Sequence, residues 1–138
     1  MSLDFLRSIR IAASGMRAQS GRMKVVAENL ANANSTAQTP GGDPYRRKVP
    51  TFRTAFDAET QANTVSLGPV RQAQGAFEQR YDPGHVAADA RGYVKVPNVN
   101  TLVESMDMRE AQRAYEANVG VVTATRRMIQ RTIDLLRV

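Results

Sequence analysis

The sequence predicts a mainly α chain with a small β-rich insert, in which two long terminal helices pack as a coiled-coil-like pair. Three observations carry this. A 3-4-3-4 spacing of apolar and small residues runs through residues 1–36. The same spacing, doubled into two adjacent stripes, runs through residues 101–138. All six prolines lie between them, in residues 37–100. The chain therefore divides into an N-terminal helical segment (1–36), an extended β-rich insert with loops (37–100) and a long C-terminal helix (101–138) that packs with the first.

In the first helix the row is Leu6, Ile9, Ala13, Met16, Ser20, Met23, Ala27, Leu30 and Asn34. This is an a/d seam of the heptad kind. It is thin, because much of it is Ala, Ser and Asn. The helix stops in Asn32-Ala33-Asn34-Ser35-Thr36, whose side chains bond nearby backbone and favour caps and turns over helix interiors. Gln19, Asn29, Asn32 and Asn34 place amides on or beside the seam. Such amides terminate helices; inside an interface they fix register, as a buried Asn does in coiled coils.

In the last helix, one stripe is Met108, Ala111, Tyr115, Asn118, Val122, Thr125, Ile129, Thr132 and Leu136. Ala114, Ala117, Val121, Ala124, Met128 and Leu135 form a second stripe beside it. The resulting apolar face is wide enough to touch more than one neighbour. Asn100 and Thr101 suit the N-cap, and Thr101 with Glu104 reads as a capping box. Acidic residues come early and arginines late, which suits the helix macrodipole. Each helix, at about 1.5 Å per residue, reaches roughly 50 Å. A compact fold of this length has a radius of gyration of about 14 Å, so the exposed seams call for partners along their length.

The insert is marked by turn chemistry. Pro40-Gly41-Gly42-Asp43-Pro44 is a loop. Strand candidates are Val49–Phe56, Asn63–Arg71, Gly75–Tyr81 and Gly92–Val96. Asp82-Pro83-Gly84-His85 fits a type II turn, with Asp82 bonding its own backbone.

Composition excludes several functions. The chain has 138 residues and no cysteine, so disulfides, thiolate metal sites and a Cys nucleophile are absent. His85 is the one histidine, which makes a triad or a multi-His metal site improbable. Its spacing from Asp82 and Asp89 reads as a structural turn. Asp57 with Glu59, and Glu104 with Asp107, form no recognisable catalytic pair. No Gly-rich phosphate loop joins a strand to a helix. No cofactor, metal or enzymatic activity is expected. The methionines read as adaptable packing.

The net charge of +6 comes from 19 basic and 13 acidic residues. It is spread as +3, +2 and +1 over the three segments, without the dense stripe and interleaved aromatics of a nucleic-acid binder. Sixteen of the basic residues are Arg, a residue favoured at interfaces. A small basic nucleic-acid-binding protein is the alternative reading. No apolar run is long enough to span a bilayer, and residues 1–16 lack the uninterrupted apolar stretch of a cleavable signal.

The motifs themselves are familiar. Ala13-Ser14-Gly15-Met16-Arg17-Ala18-Gln19, Met23 and Val26-Ala27-Glu28-Asn29-Leu30-Ala31-Asn32-Ala33-Asn34-Ser35-Thr36 resemble the N-terminal signature of bacterial flagellar rod and hook axial proteins. Ala111-Gln112-Arg113-Ala114-Tyr115-Glu116-Ala117-Asn118-Val119 resembles the partner signature on their last helix. Pro44-Tyr45-Arg46-Arg47, Tyr81-Asp82-Pro83-Gly84-His85, Ala88-Asp89-Ala90, Gly92-Tyr93-Val94 and Pro97-Asn98-Val99-Asn100 are similar to the proximal-rod subtype. Glu28 and Val86 depart from the usual pattern.

The resemblance implies a structural subunit of the basal-body rod, elongated and built into a helical tube that transmits motor torque. It implies export by the flagellar type III apparatus without signal cleavage. Implied partners are further copies of the chain, other rod proteins and adjacent basal-body components; nucleic acid and membrane insertion are not expected. The assembly motif would then comprise Gly15, Met16, Gln19, Met23, Asn29, Leu30, Asn32, Asn34, Tyr115, Asn118 and Val122. The subtype-specific turn would comprise Tyr81, Asp82, Pro83, Gly84, His85, Gly92, Tyr93, Pro97, Asn98 and Asn100, with residues 81–100 selecting the neighbour. The thin first seam suggests a helix disordered before assembly.

Overall fold

A computed structural model describes residues 2–137. Helix α1 spans Ser2–Ala31 and helix α2 spans Thr101–Leu136. Six short strands lie between them: β1 Lys48–Val49, β2 Phe52–Asp57, β3 Ala62–Leu67, β4 Arg71–Gln72, β5 Glu78–Tyr81 and β6 Tyr93–Val96. They form three antiparallel pairs, β1 with β4, β2 with β3 and β5 with β6. All four sequence-derived strand segments contain strand, each broken or shortened where Pro and Gly interrupt it. None of the described helices is long and apolar enough to cross a membrane.

The chain forms two compact units, neither of which is a consecutive stretch. The first comprises α1 up to Met23, Thr51–Pro69 and α2 from Arg109. The second comprises Lys24–Pro50 and Val70–Met108.

In the first unit the β2–β3 hairpin is pinned to α1. Arg7 Nε donates to Thr60 O at 2.7 Å, and Arg10 Nη1 reaches both Asp57 (3.0 Å) and Glu59 (2.9 Å). The Asp57 and Glu59 carboxylates are thus a shared counter-ion for one guanidinium. Ser14 Oγ accepts from Val65 N at 3.2 Å. The core here is made of small side chains, Ala12, Ala18, Ala62 and Ala111.

In the second unit Val25, Val26, Ala87 and Val94 are buried together with two polar residues, Asn29 and Glu104. Asn100, not Thr101, caps α2: its Oδ1 accepts from the amides of Leu102 (3.1 Å) and Val103 (3.3 Å). Glu104 takes no part in a capping box. Its carboxylate turns inward, because Arg47 and Asn29 satisfy it there.

Two further expectations need correction. The Asp82–His85 turn closes through His85 N to Asp82 O at 3.2 Å, but Gly84 is not among the positive-φ glycines. A type II turn demands positive φ at that position, so this turn is of another class. The row Leu6–Asn34 is not the buried line of α1. Leu6, Ser20, Ala27 and Asn34 are exposed, Asn34 lies in the turn after the helix, and the buried positions are Ala12, Ser14, Ala18, Val25, Val26 and Asn29. Counting apolar residues missed it, because the buried line uses small and polar side chains.

Candidate functional site

The site residues fall into two groups, one in each unit. In the first unit α1 meets α2 through Gly15, which lies under Asn118. A Cβ at residue 15 would stand 2.8 Å from Asn118 Nδ2. Only a residue without a side chain permits that approach. Asn118 Nδ2 is held by the Ala114 carbonyl at 2.9 Å. About two turns further along α1, Arg22 donates to Glu110 at 3.1 Å. Met16 and Tyr115 meet with Ala13, Arg17 and Ser20 around an open groove of about 490 Å³. Gln19 carries a buried Oε1 with no hydrogen-bond partner among the described residues. Met23 and Val122 are half-buried.

On α2 the two stripes separate. Ala111 and Thr125 are buried and Tyr115, Asn118, Val122 and Ile129 half-buried, so the first stripe faces inward. The second remains outside: Val121 is 45% exposed, Met128 48% and Leu135 78%.

The second unit is organised around Asn29, fully buried and using all four hydrogen-bonding positions of its amide. Nδ2 donates to Lys48 O (2.8 Å) and Glu104 Oε2 (3.1 Å); Oδ1 accepts from Lys48 N (2.9 Å) and Tyr45 Oη (2.8 Å). Arg47 Nε donates to the other oxygen of Glu104, and Arg47 N donates to Asn98 Oδ1 at 2.8 Å. Lys48 Nζ pairs with Glu28 at 2.9 Å. That bond lowers the Glu28 pKa and raises that of Lys48, while burial raises that of Tyr45. Asn29 thus ties α1, the 45–48 segment and α2 into one knot. Leu30 is half-buried. Asn32 ends the helix, Nδ2 donating to Glu28 O at 2.9 Å and Oδ1 accepting from Ser35 Oγ at 3.0 Å.

The knot's ionic half was not foreseen. In the sequence Glu104 reads as half of a capping box and Arg47 as part of the Pro44–Arg47 motif. One signal was available. Stepping the α2 row back by four from Met108 lands on Glu104, and a carboxylate on an inward row needs a buried cation.

The subtype turn is held by Asp89. Its Oδ1 accepts from Arg91 N (2.8 Å) and Tyr93 N (3.0 Å). These amide bonds, the Tyr93 one foremost, depress its pKa. Asp82, expected to do this with its carboxylate, contributes its backbone carbonyl. Gly92 adopts φ +85°, and a Cβ there would lie 2.9 Å from the Tyr81 ring. Tyr81 and Tyr93 pack edge to face with centroids 5.4 Å apart, Tyr81 largely and Tyr93 partly exposed. His85 Nδ1 accepts from Ala87 N at 3.0 Å. Pro83 and Gly84 are exposed, Pro97 is buried, and Asn98 and Asn100 anchor Arg47 and α2 as above. Among the described residues, no group of His, Asp and Glu is arranged to hold a metal.

The Gly15–Asn118 contact and the knot around Asn29 join the two helices, and one apolar stripe of α2 stays exposed, as in a subunit built for assembly. Residues 9–37 match the family "Flagella basal body rod protein", and residues 90–135 match "Flagellar basal body rod FlgEFG protein C-terminal". The chain is 49% identical to flagellar basal-body rod protein FlgC of Agrobacterium fabrum, over 93% of this chain and 92% of that protein. It is 39% identical to FlgC of Escherichia coli O6:H1 (96% and 98% covered) and 38% to FlgC of Aquifex aeolicus (96% and 97%). The chain belongs to the FlgC family of flagellar basal-body rod proteins. It is a structural subunit of the proximal rod in the flagellar basal body, not an enzyme. The nucleic-acid alternative has no support among these relatives.

Proposed function

We propose that this chain transmits torque as one stave of a stiff helical tube. Its terminal helices lie around a central export channel, and its insert packs outside them. The observation that supports this is the second α2 stripe, Ala117 to Leu135, which stays exposed among the described residues. Stiffness in such a tube comes from close-packed helices crossing between subunits, and heterologous contacts extend it. Neighbours are other rod proteins, adjacent basal-body components and further copies of the chain. The chain reaches them through the flagellar type III apparatus, keeping its N-terminus. The helix contacts at Gly15, Asn118 and Asn29 hold the subunit's geometry. The exposed Tyr81–Tyr93 pair and the turn around it select the neighbour.

Deletion in the native bacterium tests the reading. Non-motile cells whose basal bodies stop at an early stage, restored by the intact gene, are expected. Complete hooks in the deletion strain would overturn it. Exchanging residues 81–100 with those of another rod protein is expected to redirect incorporation; unchanged placement refutes the selecting role.

A further inference from the structure

Strand β2 has an open edge, and the hairpin ladder fixes which of its backbone groups face outward. Gly68 N donates to Thr51 O at 2.6 Å, and β2 runs against β3 in the register Phe52↔Leu67 to Asp57↔Ala62. Hydrogen-bonded residues alternate along an antiparallel pair. Thr51, Arg53, Ala55 and Asp57 therefore bond the β3 side, and Phe52, Thr54 and Phe56 turn their N–H and C=O groups away from it. Val65, opposite Thr54, has the same parity: its N–H points out of the hairpin on the other side and donates to Ser14 Oγ at 3.2 Å. No backbone group of Phe52, Thr54 or Phe56 has an outward partner among the described residues.

Strand edges are commonly blunted by Lys, Pro, a bulge or short length. β2 has six residues, an unbroken register and neither Lys nor Pro. Every position from Phe52 to Phe56 is exposed, Phe56 to 66%. The segment Phe52-Arg53-Thr54-Ala55-Phe56 carries Phe, Thr and Phe at matched steps in both directions. Centred on Thr54, a second copy running antiparallel sets Phe52 opposite Phe56, Arg53 opposite Ala55 and Thr54 opposite Thr54. All the outward groups then bond across the axis, and an aromatic pair forms on each side of it. Each Arg53 lies between the other copy's Asp57 and Arg53, so carboxylates flank the two arginines. A shift that sets Ala55 opposite Ala55 leaves Phe52 beyond the end of the facing strand.

We infer that β2 pairs edge to edge with β2 of a second copy, giving the free chain a closed two-fold dimer with one four-stranded sheet. β3 does not extend that sheet, because Ser14 of α1 occupies its outer side. An isologous contact closes after two copies, whereas a tube grows by heterologous ones. The pairing therefore goes beyond the rod reading. It describes the chain outside the tube, in a state whose strand edge is satisfied and closed to further strands.

The test uses the purified full chain. A six-residue edge is a small interface, so association is expected in the micromolar range. Sedimentation equilibrium up to about 300 µM should show a dimer in exchange with the monomer. Thr54→Pro removes an outward N–H and leaves the β3 ladder intact. It should weaken the dimer at least about tenfold with an unchanged circular dichroism spectrum. Phe56→Lys, at an exposed position, should also weaken it. The native sequence has no cysteine, so Thr54→Cys puts a single thiol beside the two-fold axis. Hydrogen-bonded Cα atoms there stand about 5.5 Å apart, within disulfide reach. Air oxidation should link Thr54→Cys into dimers faster than Ala55→Cys. A chain that stays monomeric throughout overturns the inference. So does a dimer that survives both Thr54→Pro and Phe56→Lys, which would then form through another surface, or faster linking through Ala55→Cys.

Discussion

Asn118 occupies the space that a side chain at Gly15 would need, 2.8 Å from a Cβ built there. The glycine costs α1 about 1 kcal/mol of helix propensity relative to alanine, and the close contact is what that loss supports. Gly15→Ala is expected to destabilise the protein by about 1 kcal/mol net, because overpacking costs about 1–3 kcal/mol. In an Asn118→Ala background the same change should become stabilising. Urea unfolding of the four proteins checks this, and a Gly15→Ala effect of one sign in both backgrounds refutes it.

The Glu104–Arg47 pair predicts a second non-additivity. Glu104→Gln leaves Arg47 with only the more distant Asp107 carboxylate, 3.7 Å away, and should cost about 3 kcal/mol. Replacing both partners, Glu104→Leu with Arg47→Met, should recover part of that loss, since the two charges leave together while one Asn29 Nδ2 hydrogen loses its acceptor. Thermal unfolding followed at a single wavelength measures both. A double variant less stable than the single one contradicts this account.

Capping separates two neighbours that the sequence treats alike. Asn100→Ala should remove about 1 kcal/mol, and Thr101→Ala should stay within about 0.5 kcal/mol. Equal losses would show that Thr101 shares the cap.

The Asp89 carboxylate sets a pH dependence. Its pKa in the fold lies below the ordinary aspartate value of 3.8 because Tyr93 N and Arg91 N donate to the ionised form. A depressed pKa contributes stability above the unfolded value and loses it as pH falls through the folded one. Midpoint temperatures should therefore decline below about pH 4, and less steeply in Asp89→Asn. Parallel pH profiles for the two proteins would count against the turn being held by the ionised carboxylate. Lys48 and Glu28, and Lys95 and Asp43, depress their carboxyls in the same direction, so the variant's profile flattens without becoming level.

The long helices, the proline-rich insert, the strand segments and the inward stripe of α2 were all legible as patterns of residue type along the chain. Helix length, strand alternation and turn residues are local properties, and a sequence carries local properties directly. The family motifs were legible in the same way. What the pattern could not reveal was which face of α1 turns inward. Gly15, Arg22 and Asn29, seven residues apart, look unsuited to a row that faces α2. They qualify because Asn118, Glu110 and Glu104 meet them from α2. Glu104 reads as a cap until Arg47, fifty-seven residues away, is placed against it. Asp82 and Asp89 are alike in sequence, and backbone geometry chose Asp89 to hold the turn. Residue type thus determined where helix and strand occur, because those preferences act over a few neighbours. Burial of polar and glycine residues was decided by the fold, because a buried polar group is tolerable only when a distant part of the chain supplies its partner.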